Sequence, residues 1–119
     1  MRVAVTAKEA SVDSQVDPRF GRARYILAID VETGETEASD NDVNLNALQG
    51  AGIQTAQNVA SLNVEAVLTG HLGPNAFRAL SAAGIKAYTG LTGTVAEAVE
   101  RLKSGELTPV QSADVEGHW

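Results

Sequence analysis

The alternation of short apolar runs with glycine-bounded amphipathic segments in the second half of the chain restricts its fold more than any other feature. Glu65-Ala66-Val67-Leu68-Thr69 reads as a strand, and Gly70-His71-Leu72-Gly73-Pro74 follows it directly. Proline suits the first position of a helix, where the N–H it lacks would have no partner. Ala76, Phe77, Leu80 and Ala83 line one face of that helix, which stops at Gly84, and Ile85-Lys86-Ala87-Tyr88-Thr89 is the next strand. Thr94-Val95-Ala96-Glu97 has capping-box spacing, Val95, Ala98, Val99 and Leu102 fall on one stripe, and Gly105 marks the end of the last helix. Strands that alternate with helices in this way form a parallel sheet covered on both faces.

The first half supplies a meander. Arg2-Val3-Ala4-Val5-Thr6 is a buried strand, and residues 8–17 are a polar connection without a period. Tyr25-Ile26-Leu27-Ala28-Ile29-Asp30-Val31 is a second strand, which Glu32-Thr33-Gly34-Glu35 reverses into a third near residues 36–40. Ile53, Ala56, Val59 and Ala60 then recur at helical spacing up to Leu62. Right-handed crossovers place strands four and five beyond strand one. The predicted fold is α/β: three layers, α/β/α, on a five-stranded mixed sheet of order 3-2-1-4-5 with strand 2 antiparallel. Residues 1–106 make a single domain, and residues 107–119 read as an irregular, loosely held tail.

In that topology residues 8–24, 41–52, 70–75 and 90–94 emerge at one edge of the sheet, the edge at which open α/β folds bind ligands. Three of these segments lead into helix N-termini, which favour negative charge, and Gly50, Gly52, Gly70, Gly73, Gly90 and Gly93 let a ligand approach the backbone. The first segment contains Asp17-Pro18-Arg19-Phe20-Gly21-Arg22-Ala23-Arg24, a cationic spot in a chain of formal net charge −6. Guanidinium forks hold flat or multi-oxygen anions better than lysine does, and Phe20 and Gly21 add an apolar face and an approachable backbone. The loop is read as an anion site; a solvated turn with scattered arginines is the competing reading.

Several function classes fall away. The acidic balance excludes a general nucleic-acid or anionic-membrane binder. With no cysteine there are no disulfides, thiolate metal sites or thiol nucleophiles. No P-loop or dinucleotide fingerprint is present, the serines lie in no nucleophile elbow, and the central strands carry no carboxylates for a two-metal site. Enzyme signatures are therefore poor, and the arginine loop points to binding. No signal-peptide core or membrane span is seen, so the expected location is the cytoplasm. His71 follows strand four directly, where it could meet a metal or an anion; His118, beside Asp114 and Glu116, is read first as part of an unstructured tail, with a weak metal site there as the alternative. Asp40, Asn41, Asp42, Asn44 and Asn46 offer oxygen ligands without EF-hand spacing and are read as turn and capping residues.

Phe20-Gly21-Arg22-Ala23, Gly50-Ala51-Gly52, Thr69-Gly70-His71-Leu72-Gly73-Pro74-Asn75-Ala76 and Ala83-Gly84-Ile85, in this order, resemble the dinitrogenase iron–molybdenum cofactor biosynthesis family over nearly the whole chain. The resemblance implies a ribonuclease-H-like fold and the carriage of metal–sulfur clusters without catalysis. In the absence of cysteine and of fused domains, the chain is similar to the small stand-alone members, the orange proteins, which hold a molybdenum–copper sulfide cluster noncovalently. Such a cluster brings its own soft ligands and is a net anion, so arginines, backbone donors and an apolar surface suffice. The implied cofactor is that cluster or one of the iron–molybdenum type. Arg19, Phe20, Gly21, Arg22, Arg24, His71, Gly73 and Asn75 take the role of anion and shape contacts, and a partner ATPase or a cluster-receiving protein is implied. The alternatives are a small-anion or phosphometabolite-binding regulatory module built on the same loop, and an adaptor that works through its acidic face.

Overall fold

The computed structural model describes residues 1–41 and 51–111. Its strands are β1 (Arg2–Ala7), β2 (Tyr25–Asp30), β3 (Thr36–Asp40), β4 (Ala66–Leu68) and β5 (Lys86–Tyr88), and its helices are α1 (Ala51–Ala60), α2 (Pro74–Ala82) and α3 (Val95–Lys103). The sheet order is β3-β2-β1-β4-β5, with β2 antiparallel to β1 and β3, and β4 parallel to β1 and β5. Fold class and topology agree with the expectation from sequence.

Side-chain alternation along the strands divides the core in two. Ala4, Ile26, Ala28, Val67 and Ala87 face α1 and α2, where Ala56, Val59, Ala76 and Leu80 cover them. Val3, Val5, Leu27, Ile29, Ala66, Leu68 and Tyr88 face α3, which contributes Val95, Ala98 and Val99. Register keeps these sets together, with Val5 opposite both Leu27 and Leu68. The first face is built from small residues, and the space above them is filled by Phe20 and Leu72, both at 0% exposure. The helices on that face also approach closely: a Cβ added at Gly52 of α1 would lie 3.2 Å from Ala76 Cβ of α2.

Three sequence expectations are corrected. In α1 the buried side chains are Thr55, Ala56 and Val59, whereas Ile53 and Ala60 face solvent. Crossing α2 at Gly52 turns the helix so that its inner stripe runs through 52, 55, 56 and 59. In α2, Ala76 and Leu80 are buried and Phe77 is partly so, but Ala83 is exposed as the C-cap. The segment after α3 is held at residues 107–110: Leu107 packs on one core, Val110 on the other, and the Val110 N–H donates to Ala87 O at 2.8 Å. An edge strand of three residues leaves backbone acceptors that the departing chain can pair. The rest of the tail expectation, with His118, Asp114 and Glu116, lies outside the described residues.

Candidate functional site: the carboxyl edge of the sheet

The ends of β1 and β4 are joined by side chains before their loops diverge. Thr6 Oγ1 donates to Asp17 O at 2.7 Å and lies 2.8 Å from Thr69 Oγ1. A hydroxyl has one proton, so Thr69 is the donor in that pair. The Asp17 N–H returns a bond to Thr6 O, and the buried Asp17 carboxylate accepts the Arg19 N–H at 3.0 Å. Residues 17–19 therefore leave β1 in a fixed direction.

That direction brings the arginine loop against the segment after β4. The His71 N–H donates to Pro18 O at 2.7 Å and the Phe20 N–H to His71 O at 3.3 Å, so Arg19 and His71 run side by side as a parallel bridge. Glycine is required at position 70, because a Cβ there would sit 2.6 Å from Pro18 Cα. Gly70 thus has a packing reason that its reading as a ligand contact lacked. Along the loop the inward residues are Phe20, Gly21 and Ala23, all buried, while Arg19 is exposed and Arg22 and Arg24 are half-buried. The expectation that Phe20 presents an apolar face to a ligand is corrected: its ring is an anchor in the core.

The remaining candidates separate by position. Arg24 immediately precedes β2, two strand spacings from β4, or about 10 Å. Its Nη1 is 2.7 Å from Asp40 Oδ1, and its guanidinium stands 5.0 Å from the Tyr25 ring centroid. Arg24 and Asp40 therefore form the β3 flank of the edge, and Arg19 with His71 the β4 flank. Gly73 is buried at the N-cap of α2, which has no side-chain cap among the described residues, and Asn75 is exposed in the first turn, where Arg78 bonds to its side chain. Uncapped helix starts present backbone N–H groups along the axis, so α2 offers donors beside Arg19 and His71.

The start of α3 differs. The Val95 and Ala96 N–H groups donate to Ser14 O and Val12 O, both at 2.9 Å, and Glu97 N–H to Thr94 Oγ1 at 3.1 Å. The Glu97 carboxylate closes the capping box on the Thr94 N–H at 2.9 Å, and these hydrogen bonds hold it below its ordinary pKa. This helix end is filled by the chain itself and carries an anion already, so the expectation of an open anion site at all three helix starts is corrected for α3.

Sequence reasoning missed the residues under the loop. Asn41, read as a turn residue, donates through Nδ2 to Ala23 O at 2.8 Å and to Thr55 Oγ1 at 3.3 Å, and Thr55 Oγ1 donates to Gly21 O at 3.4 Å. A threonine on the buried stripe of α1 was the available signal. Asp42, Asn44, Asn46 and Gly50 lie outside the described residues. Among the described residues no group of three or more His, Cys, Asp or Glu side chains could hold a metal ion, and no helix is long and apolar enough to cross a membrane.

A three-layer α/β domain with a cationic loop beside a helix start at the carboxyl edge of its sheet is of the open α/β class, whose members as a rule take ligands at that edge. The chain belongs to the dinitrogenase iron–molybdenum cofactor family, whose model matches residues 1–105. It is 41% identical to the orange protein from Desulfovibrio gigas, whose structure was solved in the apo form, with a TM-score of 0.94 over 96% of each chain. A Thermotoga protein with a provisional NifB assignment, solved by NMR, is 34% identical over 98% of each chain with a TM-score of 0.82. An uncharacterised protein from Methanocaldococcus jannaschii is 26% identical over 97 residues, 80% of this chain and 82% of its own length. Family membership gives the chain a cofactor-related binding role.

Proposed function

We propose that this protein binds and carries an anionic metal–sulfur cluster, containing molybdenum with copper or iron, or a precursor of it, without covalent bonds and without catalysis. The observation that carries the reading is the pairing of residues 18–20 with His71, which seats the arginine loop beside the uncapped start of α2. Family membership and the likeness to an orange protein support it. A cluster whose sulfides satisfy its metals needs from the protein only charge, hydrogen-bond donors and shape. Arg19, Arg22, the α2 N–H groups, His71 and Asn75 supply these, with Arg24 at the far flank. A cluster-receiving protein or a partner ATPase would complete the cycle, in the cytoplasm.

A phosphorylated metabolite is the second reading, because guanidinium groups and a helix start suit phosphate equally. Anaerobic titration with tetrathiomolybdate, with and without copper, followed by desalting, visible spectroscopy and metal analysis, separates the two. A coloured species of fixed stoichiometry that survives desalting, and is lost in the Arg22→Ala, Arg24→Ala double variant, is expected of a carrier. Retention unchanged in the double variant would overturn the loop assignment. Colour that washes away from both proteins, with phosphate binding intact, would favour the metabolite.

A further inference from the structure

We infer that Asn41 and Thr55 are positioning residues for the anion site: together they clamp the arginine loop from beneath and hold its guanidinium groups in their binding arrangement. This deepens the cluster-carrier reading and rests on it. Between Phe20 and β2, the backbone carbonyls of Gly21, Ala23 and Arg24 are held by these two side chains and by the Asn41 N–H. Asn41 Nδ2 bonds to Ala23 O, Thr55 Oγ1 to Gly21 O, and the Asn41 N–H to Arg24 O at 2.9 Å. Asn41 and Thr55 also bond to each other at 3.3 Å, so the clamp ties the end of β3 to α1 across the loop. Both are buried, Asn41 at 3% and Thr55 at 0% exposure, where an unmade hydrogen bond is costly and a made one is directional.

The consequence for binding is geometric. Arg22 and Arg24 flank the clamped carbonyls in sequence, so the positions of Gly21, Ala23 and Arg24 set the origin of each guanidinium. Long arginine side chains lose rotamer freedom when they close on a ligand, and a backbone fixed in advance lowers the ordering that binding must impose. Thr55 is isosteric with valine, so the clamp can be removed without opening a cavity.

Thr55→Val, Thr55→Ser and Asn41→Ala, compared with wild type, test the inference through tetrathiomolybdate retention after anaerobic desalting, thermal midpoint and amide hydrogen exchange of residues 20–24. Thr55→Val is expected to hold the probe roughly three- to tenfold less well, the factor one net hydrogen bond commands. The midpoint of Thr55→Val should fall, because the Gly21 carbonyl loses its donor, and its loop amides should exchange faster beyond that global loss, with Thr55→Ser close to wild type and Asn41→Ala weaker than Thr55→Val. Retention and loop exchange equal to wild type in Thr55→Val would overturn the clamp, as would equal losses in the valine and serine variants. If wild type itself fails to hold the probe, the carrier reading fails alone; unchanged loop exchange in Thr55→Val would then overturn the clamp independently.

Discussion

Phe20 and Arg22 are neighbours in one loop and answer to different forces. The Phe20 ring lies at 0% exposure over the small residues of the sheet, so its truncation leaves a cavity. Phe20→Ala is expected to cost about 3–5 kcal/mol in urea unfolding. Arg22→Ala should cost about 1 kcal/mol or less, because a half-buried charge gains little from the fold, yet reduce tetrathiomolybdate retention. A stable Phe20→Ala protein would contradict the anchor assignment. Gly70→Ala is expected to cost about 1–3 kcal/mol, since its methyl group would press on Pro18 backbone. Faster exchange of the His71 amide should accompany the loss, and wild-type exchange there would show that the two segments are not held together. The arginines were legible as a cationic spot because charge is a property of residue type. Burial of Phe20 was not, because an aromatic beside arginines suits a ligand face and a core anchor equally until the sheet beneath it is known.

At the scale of elements, α3 was the most legible and α1 the least. Thr94 and Glu97 declare a capping box by spacing alone, and both reciprocal bonds are present. Thr94→Ala is expected to cost about 1 kcal/mol. The Glu97 carboxylate, its pKa held down by the Thr94 backbone N–H first and the Thr94 side chain second, contributes stability above the ordinary carboxylate pKa of 4.5. That contribution is lost as pH falls through the depressed folded-state value. The gap in urea midpoint between wild type and Glu97→Gln should therefore be constant near neutral pH and close in acid; a gap independent of pH would remove the carboxylate from the account. In α1, periodicity singled out Ile53, Ala56, Val59 and Ala60, but the crossing at Gly52 and the polar anchor at Thr55 rotate the buried stripe. A short helix with few large apolar residues is oriented by what it packs on, and its own pattern decides little.

Across the whole molecule, residues 107–110 after α3 are packed onto the domain. Leu107 and Val110 pack on opposite faces of the sheet, and Val110 pairs the open edge of β5. A chain ended at residue 106 is expected to lose about 1–3 kcal/mol, the worth of two partly buried aliphatic side chains, read as a lower urea midpoint. An unchanged midpoint would show that the segment adds nothing. The amino-acid sequence by itself determined the alternation of elements, the strand order and the gathering of four loops at one edge, because periodicity, turn chemistry and crossover handedness are local or chiral rules that need no distances. It also carried the family, through motifs whose order survives without coordinates. Only the tertiary structure decided how the parts of that edge are arranged: α3 closed by its own cap and by Ser14 and Val12, the start of α2 beside His71 with no side-chain cap among the described residues, Arg24 paired with Asp40 at the far flank, and the loop clamped by Asn41 and Thr55. These are contacts between residues far apart in the chain, and such pairings follow from packing in three dimensions, which residue type and spacing do not encode.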